Sequence, residues 1–260
     1  MFRKLGRALR RLFWLRGLGL GITLLAAVGH FLLAGLDTTT VFPPEGEAPP
    51  EPSFTVSTDL PCSPLRYEEV PPYAGEASVP INGNVPYFRA EDAPAESGVF
   101  LSELDALGRP GPALALLELG LMPEAERAPI GHIPLAGWHS ARYEGLVEDE
   151  YLYHRCHLIG YQLCGLNSEK RNLFTGTQSL NVTGMLPYEN EAAACMRRMG
   201  RHVLYRVTPL YVGNELLARG VQMEALSLED GGRELQFNVF VYNVQPGITI
   251  DYATGNSRAD

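Results

Sequence analysis

The chain has 260 residues, 45% of them hydrophobic and 20% charged, with a formal net charge of −9. Those proportions are ordinary for one or two globular domains with a sizeable core, and they exclude a chain disordered throughout. The acidic balance excludes tight non-specific binding of nucleic acid through a generally positive surface.

In chain order, Arg3, Lys4, Arg7, Arg10, Arg11 and Arg16 form a basic segment over 1–16, and the twenty residues that follow, 17–36, contain no Lys, Arg, Asp or Glu. Twenty helical residues rise about 30 Å, enough to cross a bilayer, so 17–36 is expected to be a transmembrane anchor or a signal sequence. The run is longer than the roughly 7 to 15 residues of a signal core, which favours the anchor. Basic residues before the run and Asp37 after it place 1–16 in the cytoplasm and the remainder outside, by the positive-inside bias. That remainder carries 15 basic residues against 30 acidic ones, a net −15. Residues 37–65 include Pro43, Pro44, Pro49, Pro50, Pro52, Pro61 and Pro64 and read as a semi-extended linker ahead of a folded domain at 66–260. Cys62, Cys156, Cys164 and Cys195 have no C-x-x-C spacing, so a zinc ribbon or thioredoxin-type motif is unsupported. An exported location permits up to two disulfides, whose pairing the sequence does not choose.

Residues 111–120, with Pro112 near the start, helix formers and a terminal Gly120, predict a short helix. Residues 152–159 and 172–176 read as strands. The stretch 179–185 reads as helical, Pro187 opens a second helical segment, and Gly200 ends it. Residues 202–211, 220–228 and 234–244 are rich in Val, Tyr, Phe and Leu, with Gly213-Asn214 and Asp230-Gly231-Gly232 between them, and predict an antiparallel meander. The expected class is α+β, with a strand–strand–helix unit over 152–199 beside an antiparallel sheet.

That unit concentrates the reactive side chains. Arg155 and His157 lie two apart on the first strand, and Asn172, Asn181 and Glu189 are oxygen donors of the kind Mg²⁺ prefers. On a continuous helix the eight residues from Asn181 to Glu189 amount to about 80° of rotation, close enough to share a side. No acid lies between Asp149-Glu150 and Glu169, so a single cation held by few protein ligands is expected rather than a two-carboxylate cage. Lys170, Arg171, Arg197, Arg198, Arg201 and His202 offer a local basic patch. Cys156 would make a poor nucleophile for His157, because neighbours on a strand point to opposite faces.

Residues from about 81 to 254 resemble the DNA/RNA non-specific endonuclease family, of the ββα-metal or His-Me finger superfamily, and in particular its secreted and surface-anchored bacterial DNase branch. The resemblance rests on Ile81-Asn82-Gly83-Asn84 with Pro86-Tyr87-Phe88, Leu107-Gly108-Arg109, Gly137-Trp138-His139, and the core from Arg155 through His157 to Leu163. It continues through Lys170-Arg171-Asn172-Leu173, Thr175-Gly176-Thr177, Asn181, Met185 to Asn190, Tyr205 to Pro209, and Tyr242 to Gly247 with Asp251-Tyr252. It implies a ββα-metal finger. The family's Asp-Arg-Gly-His signature falls on His154 to His157, with His157 as general base, Asn181 as metal ligand, Asn172 as a second active-site amide and Glu189 as organiser of metal-bound water. Arg155 would stabilise charge at phosphorus, and Arg109, Lys170, Arg171, Arg197 and Arg198 would contact substrate. His154 stands where the family carries an acid or Asn, and Cys156 where it carries a small residue.

The implied reaction is hydrolysis of DNA or RNA to 5′-phosphate products with Mg²⁺, or Mn²⁺ as the alternative cation. An imidazole with its ordinary pKa of about 6.5 is neutral at neutral pH and able to take a proton from water. The implied partners are nucleic acid and, through 17–36, the membrane; nothing points to a protein partner. Two other readings stay open on the sequence: an inactive nucleic-acid-binding module of the same fold, and a membrane-anchored metal or redox protein using His154, Cys156 and His157.

Overall fold

The computed structural model describes residues 52–57, 60 and 63–260. The basic segment, the apolar run 17–36, most of the linker and Cys62 lie outside the described residues. Among the described residues, no helix is long and apolar enough to cross a membrane.

A seven-stranded sheet organises the chain. Its strands are β1 (Thr55–Val56), β2 (Ser78–Pro80), β3 (Gly98–Leu101), β4 (Ala113–Leu117), β7 (Val203–Leu210), β8 (Gly220–Ser227) and β9 (Gln236–Tyr242). They lie in the order β1-β3-β4-β7-β8-β9-β2, antiparallel throughout except for the parallel β1–β3 pair. The expected meander is present as β7, β8 and β9. Thr55 and Val56, inside the expected linker, pair with Phe100 and Leu101 and belong to the sheet. Residues 113–117 form strand β4, not a helix. All five are buried between β3 and β7, so two ladders of backbone hydrogen bonds and burial on both faces outweigh the helix preference of an Ala-Leu run.

One face of the sheet, carrying Ala113, Ala115, Tyr205, Val207, Met223, Phe237, Val239 and Val241, belongs to the main core. The other face is covered by residues 81–88. There the backbone N–H of Asn238 donates to Asn84 Oδ1 at 3.0 Å, and Asn238 Nδ2 donates to the Val85 carbonyl at 2.8 Å. Beneath them Arg206 Nε donates to Glu224 Oε2 at 2.7 Å, and the Tyr87 N–H donates to Glu224 Oε1 at 2.8 Å. A buried ion pair is tolerated when further hydrogen bonds satisfy it, and residues 81–88 supply one of them.

On the core face lies a two-stranded antiparallel ribbon, β5 (Tyr153–His157) with β6 (Leu173–Thr177), in which His157 pairs with Leu173 and Arg155 with Thr175. The short helix α1 (Tyr161–Cys164) follows β5. β6 runs into a π-helix, Ser179–Met185, which continues as α2 (Leu186–Met199). Pro187 sits in the first turn of α2, and Gly200, at φ 57°, closes it in the left-handed conformation that glycine adopts without penalty. Ala192, Ala193, Cys195 and Met196 turn inward and pack α2 on the core. A small hairpin of β10 (Ile248–Ile250) and β11 (Ser257–Ala259) ends the chain.

Candidate active site

The end of the ribbon and the start of α2 enclose a cavity of about 360 Å³ lined by Arg127, His157, Gly160, Tyr161, Gln162, Asn181, Leu186 and Glu189. Three side chains expected from the sequence, His157, Asn181 and Glu189, therefore meet in one place. A second hollow of about 390 Å³, along 53–55 and 94–100, holds Glu96 as its one titratable side chain and offers no base.

His157 is the last residue of β5 and 6% exposed. Its Nε2 lies 2.8 Å from the backbone carbonyl of Asn167. A carbonyl only accepts, so Nε2 carries the proton and Nδ1 keeps a lone pair. Arg127 Nη2 stands 3.4 Å from that Nδ1, which suits an acceptor there.

Arg127 is a residue that sequence reasoning missed. It reaches the cavity because the chain on both sides of it is pinned. The Tyr161 hydroxyl donates to the Ala125 carbonyl at 2.9 Å, and Asn167 Nδ2 donates to the Ala128 carbonyl at 3.1 Å. No spacing or periodicity around 124–128 signals this.

Asn181 lies in the π-helix, a wider turn often found at functional sites. Its Nδ2 is 3.2 Å from His154 Nδ1, and His154 Nε2 is 2.8 Å from Asp149 Oδ2. Where the resemblance leads one to expect an acid at 154, an imidazole takes its place and the acid comes from five residues earlier.

Glu189 sits in the first turn of α2. Burial pushes its carboxyl up to about 7, against the hydrogen bond from Gln162 and the charge of Arg127, which pull it down. It lies against Gly160: a Cβ on that glycine would sit 2.6 Å from Glu189 Oε2.

The remaining expected residues lie elsewhere or are engaged otherwise. Arg155 is on the ribbon, but its Nε donates to the Ile133 carbonyl at 2.8 Å and its guanidinium lies over the Trp138 ring, 3.8 Å from the centroid. It does not line the cavity, and Arg127 holds the place beside His157 that was expected of it. Asn172 is fully buried, donating from Nδ2 to the Ile159 carbonyl and accepting from the Ile159 N–H, each at 2.9 Å. Both ends of its amide clamp the chain after β5, so it is placed as a support for the site and not in it.

Arg109 is spent on Asp105, on the carbonyls of Gly213 and Glu215, and on the Tyr211 ring. Arg171 pairs with Glu103 and Glu169. Lys170, half-buried in the turn before β6, lies at the His157 end of the ribbon. Arg197 and Arg198 occupy the exposed last turn of α2, about 12 Å along the helix axis from Glu189. There they face the negative end of the helix dipole and not the cavity.

Cys156 is completely buried and burial drives its thiol far up, so it is no nucleophile at neutral pH. Cys156 and Cys195 are free thiols. Among the described residues no cluster of three or more His, Cys, Asp or Glu is arranged to hold a metal, so a cation here would depend on amide oxygen, a carboxylate and water.

Comparison with known proteins bears on this geometry. The profile of a family described as DNA/RNA non-specific endonuclease matches residues 92–228. A deoxyribonuclease of Streptococcus dysgalactiae subsp. equisimilis is 34% identical over 117 residues, covering 43% of this chain and 35% of that protein. The chain thus spans about a third of the length of that curated relative. The crystal structure of NucA from Streptococcus agalactiae with magnesium ion bound superposes with a TM-score of 0.65 at 25% identity, covering 75% of this chain and 94% of that one. The structure of Sda1 nuclease with bound zinc ion superposes with a TM-score of 0.54 at 28% identity, covering 63% and 82%.

Proposed function

The chain belongs to the DNA/RNA non-specific endonuclease family and is by that membership a nuclease, and from this we propose that it is a metal-dependent endonuclease of the ββα-metal type. It hydrolyses phosphodiester bonds of DNA, and of RNA, to 5′-phosphate products. We place its domain, 66–260 with the short β1, outside a membrane that residues 17–36 would span.

One observation carries the reading. The Asn167 carbonyl fixes the proton of His157 on Nε2 and leaves Nδ1 as a base at a cavity that also holds Arg127, Asn181 and Glu189. His157 Nδ1 takes a proton from water as the water oxygen attacks phosphorus, the P–O3′ bond breaks, and the departing 3′ oxygen takes a proton from solvent water to leave as the 3′-hydroxyl. Arg127 supplies guanidinium N–H donors for the phosphoryl oxygens as charge builds on them. Arg155, outside the cavity and held on Trp138, would contact an adjoining phosphate. Contacts limited to phosphate carry no base information, in keeping with cleavage at any sequence.

The donor set suits a hard divalent cation. Asn181 and Glu189 both offer oxygen, and the carboxyl of Glu189, withdrawn from water, is a charge that a cation would compensate. Such a cation, Mg²⁺ or Mn²⁺, would neutralise the charge that builds on the phosphate and its leaving group. Asn181 and Glu189 would hold it.

The test is digestion of plasmid DNA and of RNA by the full chain, with and without EDTA, beside His157→Ala. Cleavage by the wild type that EDTA abolishes, and a loss of about a hundredfold or more in the variant, are expected. Equal cleavage by wild type and His157→Ala would overturn the assignment of the base, and no cleavage by the wild type with Mg²⁺ or Mn²⁺ would favour the inactive binding module.

A further inference from the structure

We propose that His154 and Asp149 are a positioning pair that sets the orientation of the Asn181 carboxamide and thereby the affinity of the site for its divalent cation. This rests on the reading of Asn181 as a ligand to that cation.

The two ends of a carboxamide are nearly equal in size, so its orientation is decided by hydrogen-bond partners and not by shape. Asn181 Nδ2 can only donate, and the atom 3.2 Å from it is His154 Nδ1, which must then accept. The proton of His154 is therefore on Nε2, and that atom faces Asp149 Oδ2 at 2.8 Å, an acceptor under any tautomer. The three groups form a directed chain, amide to imidazole to carboxylate, with the amide nitrogen turned towards His154. Asn181 Oδ1 is left as the end directed away from His154, in a residue that lines the cavity. A hard cation takes amide oxygen and rejects amide nitrogen, so the chain selects the useful one of two orientations.

Asp149 is itself oriented. Its other oxygen, Oδ1, accepts from the Tyr151 N–H at 3.2 Å, an Asx-type turn. The intervening Glu150 has φ +68°, a left-handed conformation that costs a non-glycine residue. The neighbouring backbone holds it there, with the Tyr143 N–H donating to the Glu150 carbonyl at 2.8 Å and the Glu150 N–H donating to the Val147 carbonyl at 3.0 Å. The carboxylate thus reaches His154 from a fixed turn, while His154, with a side chain 21% exposed, is held between the two. An exposed Asp–His contact serving only stability would need neither the second anchor on Asp149 nor the amide on the far side of the ring.

The arrangement also accounts for His154 in a position where the family signature carries an acid. An acid at 154 would accept from the amide directly. An imidazole accepts equally well, but only with its proton held on Nε2, and Asp149 holds it.

The test is titration of the full chain with Mn²⁺, read from the electron paramagnetic resonance of free Mn²⁺, in the absence of nucleic acid. Thermal unfolding without metal is measured alongside. His154→Phe and Asp149→Asn are expected to weaken Mn²⁺ binding by about ten- to a hundredfold, the usual effect of losing such a partner, with metal-free Tm unchanged within about 2 °C. The Mg²⁺ concentration giving half-maximal cleavage rises by the same factor while the rate at saturating Mg²⁺ is kept. His154→Asp restores binding, and Asp149→Asn added to His154→Asp has no further effect, because the new carboxylate no longer needs a partner.

Wild-type Mn²⁺ affinity in both His154→Phe and Asp149→Asn, with Asn181→Ala impaired, overturns the positioning role and leaves the nuclease reading intact. Wild-type affinity in Asn181→Ala overturns the ligand assignment and this proposal with it. If His154→Phe unfolds, Asp149→Asn, a change at a half-exposed residue, decides the matter alone.

Discussion

Gly160→Ala isolates the position of one carboxylate. Gly160 has φ −57° and ψ 141°, which any L-residue adopts, so a methyl group brings no backbone strain. It would meet Glu189, at 2.6 Å from Oε2, 2.7 Å from Cδ and 3.0 Å from Oε1. Ordinary contact begins near 3.5 Å, so the carboxylate must retreat by about 1 Å. The clash is with the far end of a flexible side chain, and stability is expected to fall by less than the ~1–3 kcal/mol of overpacking in a rigid core. Function should fall further, since a misplacement of about 1 Å can lower a rate by ~10². The assay is initial plasmid nicking across a Mg²⁺ series, with metal-free thermal unfolding in parallel. A rate lowered about ten- to a hundredfold at limiting Mg²⁺ with Tm within about 3 °C of wild type is the expected outcome. Unchanged nicking at every Mg²⁺ concentration would show that the place of Glu189 does not matter to the reaction, and the site as described would be wrong.

Arg127→Ala should lower kcat by about 10²–10³, the effect of removing a donor aimed at developing charge, whereas Arg155→Ala should lower it tenfold or less; the opposite order would return the central role to Arg155. Asn172→Ala strips partners from the buried N–H and C=O of Ile159 and should cost roughly 2–5 kcal/mol in urea unfolding; unchanged stability with lost activity would put the amide in the chemistry instead. His202 is paired with Glu229 and Glu118, and the hydrogen bond to Glu229 raises its pKa. A raised imidazole stabilises the fold below its unfolded pKa of about 6.5 and loses that contribution as pH rises through the folded value. The gap in urea-unfolding free energy between wild type and His202→Gln should therefore be wider at pH 6 than at pH 9, by no more than about 1 kcal/mol for so exposed a pair; an equal gap at both would remove the ion pair from the account. Substrate KM should rise with salt with a log–log slope of about 2 to 3, as for contacts to two or three phosphates by Arg127, Arg155 and Lys170; a slope of 6 would require an extended basic groove.

What the sequence showed and what it hid divide along physical lines. Strands β7, β8 and β9 were legible because aromatic and β-branched runs were separated by turn residues. The ribbon and its helix were legible because His157, Asn181 and Glu189 stand close in sequence within one supersecondary unit. Strand β4 was misread because its Ala and Leu carry a local preference that two flanking strands override. Arg127 was hidden because it arrives from a loop thirty residues before His157, placed only by bonds to Tyr161 and Asn167. Arg109 and Asn172 share motifs with the residues that line the cavity, yet the hydrogen bonds of Arg109 go to Asp105 and to two backbone carbonyls, and those of Asn172 to the backbone of Ile159. Motif membership marks a residue as constrained without saying whether chemistry or folding constrains it.

The acidity of the chain and a site for phosphate are reconciled by the ligands proposed for the cation. Asn181 is neutral and Glu189 brings one negative charge, so a divalent cation held by both keeps about +1, enough to meet the single negative charge of a phosphodiester. Two carboxylates would have cancelled the cation and left the net −15 of residues 37–260 to repel the substrate. Charges on the outer surface are screened beyond about 8 Å at physiological salt, whereas Arg127 stands 3.4 Å from His157 inside a cavity. Attraction at the proposed site would therefore be short-ranged and confined to the cavity. An amide ligand has a cost, since it can turn its nitrogen to the metal where a carboxylate cannot, and a second layer that fixes its orientation is the counterpart of using one.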